Sequence, residues 1–209
     1  MGTRDQILDA AAEIMRNRGV VEATTKEIAK AAGYSEAALY KHFSDKEELI
    51  LNVLQHRMPG PAATRPDPGS ATVEANLAAL ARAALTFYQQ SLPLLGGLLA
   101  QPKRMAAHRD SMRRYGAGPG HAIAGIAAYL RAERQLGRVD QEADVDTAAA
   151  LLDGTCFHQA FLRYYEGGPE ATAAPDELAD SLAETLMRGL GSSASDPDGR
   201  GGEISHSAP

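Results

Sequence analysis

The sequence predicts an all-α fold of about nine to ten helices, and three observations lead there. Apolar residues recur at spacings of three and four along most of the chain, as one helix face requires. No segment sustains the period-two alternation of apolar and β-branched residues that a half-buried strand needs. The interruptions fall on Gly, Pro and side chains that cap helices.

The first helix is expected over residues 3–18, where Ile7, Leu8, Ala11, Ile14 and Met15 share a face and Gly19 supplies the stop. Thr24 and Glu27 have capping-box spacing, in which each side chain satisfies an orphan amide of the other. They open a short second helix carrying Ile28, Ala29 and Ala32, which ends at Gly33. Ser35 is the N-cap of a third short helix, with Leu39 and Phe43 four apart and facing inward. Ser44 and Glu47 repeat the capping-box spacing and predict a fourth helix over 45–58, whose buried stripe is Leu49, Ile50, Val53 and Leu54. Four prolines in residues 59–69 deny backbone donors and mark a linker between two helical parts. Further helices are expected at 72–91, 94–101, 103–115, 121–135, 145–166 and 176–190, with connections at 116–120 and 167–175. Residues 191–209 offer only Ile204 to bury among Gly, Ser, Asp and Pro, so a disordered tail is expected.

Bulk properties narrow the function. A chain of 209 residues with 44% hydrophobic content can build a sizeable core. The lone Cys156 excludes an internal disulfide framework, and nothing near Met1 reads as a signal segment, so a cytoplasmic protein is expected. The apolar run 92–100, broken by Pro93, Gly96 and Gly97, is far shorter than the roughly 18 residues a membrane span needs. A net charge of −6 argues at first against a polyanionic partner. The distribution weakens that objection, because residues 1–58 hold eight Lys and Arg against nine Asp and Glu and most of the acidic excess lies beyond them.

Two short helices joined by a tight glycine-containing turn make a helix-turn-helix, whose second helix lies in the major groove of DNA. With Leu39 and Phe43 inward, the outer face of that helix presents Glu36, Ala37, Tyr40 and Lys41, with His42 on its flank. Tyr40 and His42 can donate to phosphate oxygens, Lys41 can reach guanine acceptors or neutralise phosphate, and small Ala37 and Ala38 allow close approach. Lys46 stands in the first turn of the next helix, where free amides and the macrodipole favour an anion, and is expected to clamp a phosphate.

The stretch TTKEIAKAAGYSEAALYKHFSDKEEL, preceded by ILDAAAEIMRNRGV, resembles the amino-terminal DNA-binding domain of the TetR family of transcriptional regulators over about residues 4–54. The resemblance is carried by Ile28, Ala29, Gly33, Ser35, Leu39, Tyr40, His42, Phe43, Lys46 and Leu49 in register. It implies that Thr25, Tyr40, His42 and Lys46 hold the DNA backbone while Glu36, Ala37 and Lys41 read sequence, with Ser35 in the same interface. Two departures stand out. The family often has Gly or Pro and then a hydroxyl residue where this chain has Ala37 and Ala38, and Arg4 is the single basic residue of a short start.

The resemblance also implies a helix-turn-helix domain over 1–48, a connecting fourth helix, and a helical effector-binding and dimerisation domain over 59–190. GRVDQEADVDTAAALLDG and PDELADSLAETLMRGL resemble the family's last core helices, which pair with a second subunit. A homodimer then presents two heads about 34 Å apart to a palindromic double-stranded operator. A small, mostly apolar effector would be received between helices, and the lining residues expected are Phe87, Tyr88, Met105, His108, Met112, Tyr115, His121, Tyr129, Phe157 and Phe161. Core packing is the competing account of each. Cys156, without a nearby cation, reads as an inert thiol, and the six histidines form no ligand-spaced cluster, so neither metal nor cofactor is expected. GAGPG at 116–120 follows no strand and reads as a helix connection. No nucleophile elbow, carboxylate pair or cofactor fingerprint points to an enzyme. The rival is a helical protein-interaction adaptor, in which Tyr40 and Lys41 could become alanine without loss of function.

Overall fold

The structure is a computed structural model that describes residues 2–58, 60, 63–114, 118–168 and 171–190. Among them are nine α-helices: α1 (Thr3–Glu22), α2 (Thr25–Ala31), α3 (Glu36–Leu39), α4 (Lys46–Arg57), α5 (Val73–Leu99), α6 (Pro102–Arg114), α7 (Gly120–Gln135), α8 (Val145–Gly167) and α9 (Asp176–Leu190). The tail expected to be disordered, and Tyr115, lie outside the described residues.

The first four helices close around one apolar cluster. Ile7, Leu8 and Met15 of α1, Ile28 of α2, Leu39, Phe43, and Leu49, Ile50 and Val53 of α4 are all essentially solvent-free. Burial of side chains of this size contributes about 1.5–3 kcal/mol each, which lets four-residue α3 exist at all. Gly19 takes φ 77° and ψ 164°, so the regular helix does stop there, and a single turn follows before Ala23. The capping box at Thr24 and Glu27 forms as expected. Gly33, at φ 81°, ends α2 with the Tyr34 amide donating to the Ala29 carbonyl at 2.8 Å and its own amide reaching back to Lys30.

Two elements differ from expectation. The N-cap of α4 is Asp45, whose Oδ1 accepts from the Glu48 amide at 2.7 Å, and it is Glu48 that reaches back to the amide and hydroxyl of Ser44. Ser44–Glu47 and Asp45–Glu48 have the same spacing, and the acceptor-only carboxylate takes the role, leaving Glu47 to face α6. Residues 73–99 form one helix capped by Thr72, with Pro93 inside it. A proline there removes one helical hydrogen bond and crowds the previous turn. Packing of α5 against α1, α8 and α9 holds the helix through that defect.

The second core lies between α5, α7, α8 and α9, with Leu77, Ala81, Ile126, Leu130, Ala149 and Leu152 at its centre. Phe87 of α5 packs instead on the first cluster, and α1 lies along α5, so the two cores share a wall. Arg57 ties the end of α4 to the start of α1 through Asp9 at 2.5 Å and Asp5 at 3.0 Å. Its guanidinium holds the Asp5 carboxyl below its ordinary range.

Candidate nucleic-acid interface

The exposed side of the head is assembled by caps and short turns. Ser35 Oγ accepts from the Ala38 amide at 3.2 Å and caps the start of α3, leaving its O–H to donate. Leu39 and Phe43 face the core, which turns Tyr40, Lys41 and His42 outward; Tyr40 is 47% exposed although it is a large aromatic. Ala37 is exposed beside them. Thr25 is 9% exposed; its hydroxyl donates to Glu36 Oε1 at 2.6 Å and lies 3.3 Å from the Tyr40 hydroxyl. That contact joins α2 to α3 and fixes the direction of the Tyr40 ring. Thr25, Glu36 and Tyr40 thus form one polar unit at the surface, with Ala37, Lys41 and His42 next to it.

Lys46 behaves differently from a free surface lysine. Its Nζ donates to the Val20 carbonyl at 2.6 Å, and burial, then the like charge of Arg104, push its pKa below the ordinary range. Arg4 is not a loose arm: its guanidinium lies 5.2 Å from the Phe43 ring centroid and donates to Asn52. The Tyr34 hydroxyl donates to Gln6 Oε1 at 2.5 Å and pins the turn to α1.

The residues expected to line an effector site do not converge on one chamber. Phe87, Tyr88 and Phe157 do meet, edge to face, with centroids 5.4 and 5.3 Å apart. The Tyr88 hydroxyl donates to the carboxylate of buried Asp153 at 2.8 and 2.9 Å, a residue that sequence reasoning missed. Its signal was present: Ala149, Asp153, Cys156 and Ala160 recur at spacings of four, three and four, the buried face of α8. Tyr129 is buried with its hydroxyl accepting from Asn76 Nδ2 at 2.9 Å, and burial pushes its pKa up to about 12. His108 is buried against α4, its Nδ1 3.3 Å from Glu47 Oε2, with Met105 and Met112 half-buried on the same helix. His121 is exposed and its Nδ1 lies 3.3 Å from the Gly118 carbonyl. Phe161 is exposed and stacks on Tyr165. Cys156 is buried and its thiol is pushed up to about 12, first by burial and then by Asp153, as an unreactive thiol should be. Among the described residues no group of three His, Cys, Asp or Glu could hold a metal, and no helix is long and apolar enough to cross a membrane.

Residues 7–53 match the family model for bacterial regulatory proteins, tetR family. Over 55 residues the chain is 49% identical to the HTH-type transcriptional activator FasR of Mycolicibacterium smegmatis, a match covering 26% of this chain and 25% of that protein. The curated relatives are matched over about a quarter to two fifths of their length. Solved structures extend the likeness to the whole fold. The fatty acid degradation regulator FadR of Bacillus halodurans superposes with a TM-score of 0.66 at 20% identity, covering 90% of this chain and 95% of that one. FadR of Bacillus subtilis, solved with stearoyl-CoA, gives 0.62 at 18% identity, over 90% and 99% of the two chains.

Proposed function

We propose, on the match of residues 7–53 to the model for bacterial regulatory proteins of the tetR family, that the chain is a cytoplasmic, dimeric, ligand-responsive transcriptional repressor of that family rather than an enzyme. The observation that carries this reading is the exposed Tyr40 at the C-cap of a four-residue helix, held by Thr25 and flanked by exposed Lys41 and His42 while Leu39 and Phe43 are buried. A packing helix would hide its aromatic ring. A major-groove probe must show it.

In this reading the head (1–48) is carried on α4. Thr25, Tyr40, His42 and Lys46 hold backbone phosphates, Glu36, Ala37 and Lys41 lie at base edges, and Ser35 keeps α3 in register. The body (59–190) pairs through α8 and α9, and two-fold symmetry matches a palindromic operator. A small, mostly apolar effector that favours a conformation with the wrong head separation draws the protein off DNA, and DNA weakens the effector by the same factor. The aromatic group of Phe87, Tyr88 and Phe157 supports an apolar effector, because it bridges the wall between the two cores. The Bacillus subtilis neighbour was solved with stearoyl-CoA, whose acyl chain is apolar and whose coenzyme part is charged.

Gel-shift titration with the DNA upstream of the chain's own gene tests the reading. Binding to a palindrome there is expected, and combined Tyr40→Ala and Lys41→Ala should abolish it with fold and dimer retained. Full binding by that variant would overturn the proposal, and a reporter on the same promoter reads the sign of regulation.

A further inference from the structure

The Tyr88–Asp153 pair between α5 and α8 has a charge balance that packing alone does not call for. Asp153 is 5% exposed, and both its oxygens depend on one neutral donor, the Tyr88 hydroxyl, at 2.8 and 2.9 Å. An ionised carboxylate offers about four acceptor sites, so most of its capacity is unmet. Among the described residues no cation pairs with it: Arg82 of α5 is engaged by Asp180, and Arg163 of α8 donates to Gln159. A neutral Asn would accept the Tyr88 proton as well, without the cost of desolvating a charge. Aromatic rings stand beside this acid. Phe157 lies one turn beyond Asp153 on the same face of α8, and its ring meets Tyr88 edge to face at 5.3 Å, while Phe87 meets Tyr88 at 5.4 Å. Phe157 is 37% exposed and Tyr88 is half-buried, so the rings reach solvent where the acid does not.

We propose that Asp153, Tyr88 and Phe157 form a subsite for a protonated amine carried on an otherwise apolar effector. The inference rests on the effector-binding reading and narrows it from a mostly apolar molecule to a lipophilic ammonium cation. An ammonium group brings both the donors and the positive charge that the buried carboxylate lacks, in a charge-assisted hydrogen bond. The ring faces of Phe157 and Tyr88 attract a cation held within about 6 Å of their centroids, and the hydrocarbon body is left to neighbouring apolar surface. Phe157 is the entrance: being partly in water, it turns outward without opening the core at Leu152 and Cys156. The raised pKa of Asp153, set first by burial, is the mark of a negative charge without a counter-charge in the free protein. A carboxylate or phosphate on the ligand would meet a like charge at this point.

Three probes that share a decyl chain isolate the contribution of the polar group: decylamine, decanol and decanoate. Each is titrated calorimetrically into the full-length protein near neutrality, where a primary amine is charged, and below its micelle concentration. Decylamine should bind at least about tenfold more tightly than decanol, and decanoate more weakly than either. In Asp153→Asn the affinity for decylamine should fall to that for decanol, whose own binding changes little. Phe157→Leu should weaken decylamine by roughly threefold beyond its effect on decanol. Glu166→Gln removes the same charge from an exposed position on α8 and should keep the amine preference, which separates the subsite from general attraction to a chain of net charge −6. Thermal melts of all variants report the fold. A wild-type protein that does not prefer decylamine, a preference that survives Asp153→Asn, or one lost equally in Glu166→Gln would each overturn the amine subsite and leave an effector of other chemistry standing. Failure of all three probes to bind would overturn both the subsite and an effector site at these rings, while DNA binding is judged separately by gel shift.

Discussion

At Asp153 the chain buries a carboxylate whose two oxygens share one neutral donor, the Tyr88 hydroxyl. Desolvation dominates there and raises the Asp153 pKa, with the Tyr88 bond opposing it. The sign follows from proton counting: the folded carboxyl holds its proton to higher pH than the unfolded one, so its contribution is full below the ordinary 3.8 and is lost as pH rises through the raised folded value. Asp153→Asn should therefore raise the melting temperature near neutrality, with an advantage that shrinks as pH falls toward 3.8. Paired thermal melts across that range check it, and an advantage that grows toward acid would contradict the argument. Tyr88→Phe should act in the opposite direction. It strands the carboxylate without a donor and should cost about 1–3 kcal/mol, read from urea melts. Neither residue's partner was legible in the sequence, because the two stand 65 residues apart on different helices and local periodicity carries no information about which faces meet.

Helices whose limits are set by their own neighbours were legible, and helices whose limits are set by packing were not. Gly33 shows the first kind: at φ 81° its conformation is one that L side chains rarely adopt, and a Cβ added there would meet nothing within 4 Å. Gly33→Ala should therefore cost about 1–2 kcal/mol through backbone strain alone, and denaturant melts that found no loss would show that α2 ends for another reason. The same local logic gave the capping box of α2, the Ser35 cap and the span of α9 directly from spacing. Pro93 shows the second kind. Its sequence reading as a break was sound for an isolated peptide, yet α1, α8 and α9 enclose α5 and outweigh the lost bond. Pro93→Ala should restore that bond and raise stability by about 1 kcal/mol or more, measured in the same melts. Lys46 belongs to this second class too. Its place at the start of α4 was readable, while the Val20 carbonyl that holds it and the like charge on α6 that opposes it come from the tertiary fold.

For the whole molecule, the proposed pairing of two heads depends on what α8 and α9 do with their outer faces. Between them runs an apolar groove lined by Leu151, Leu152, Leu182 and Leu186, and Leu151 alone is 59% exposed. A lone protomer gains nothing from leaving such side chains in water, whereas a symmetric pair can cover them with an interface of the roughly 1,200–2,000 Å² that stable association needs. Leu151→Glu is therefore expected to leave the protomer's core untouched while placing a charge at the centre of that contact. Light scattering should report a monomer for the variant and a dimer for the wild type, if the proposed pairing holds. Duplex binding should then fall by at least about 100-fold on a palindromic site, because the second head no longer binds at the high effective concentration its twin provides. On a single half-site the variant and the wild type should bind alike, since α3 and the surface proposed to hold phosphate are unchanged. A wild-type monomer, or a monomeric variant that keeps full affinity for the palindrome, would separate DNA recognition from pairing and leave the α8–α9 groove to some other partner.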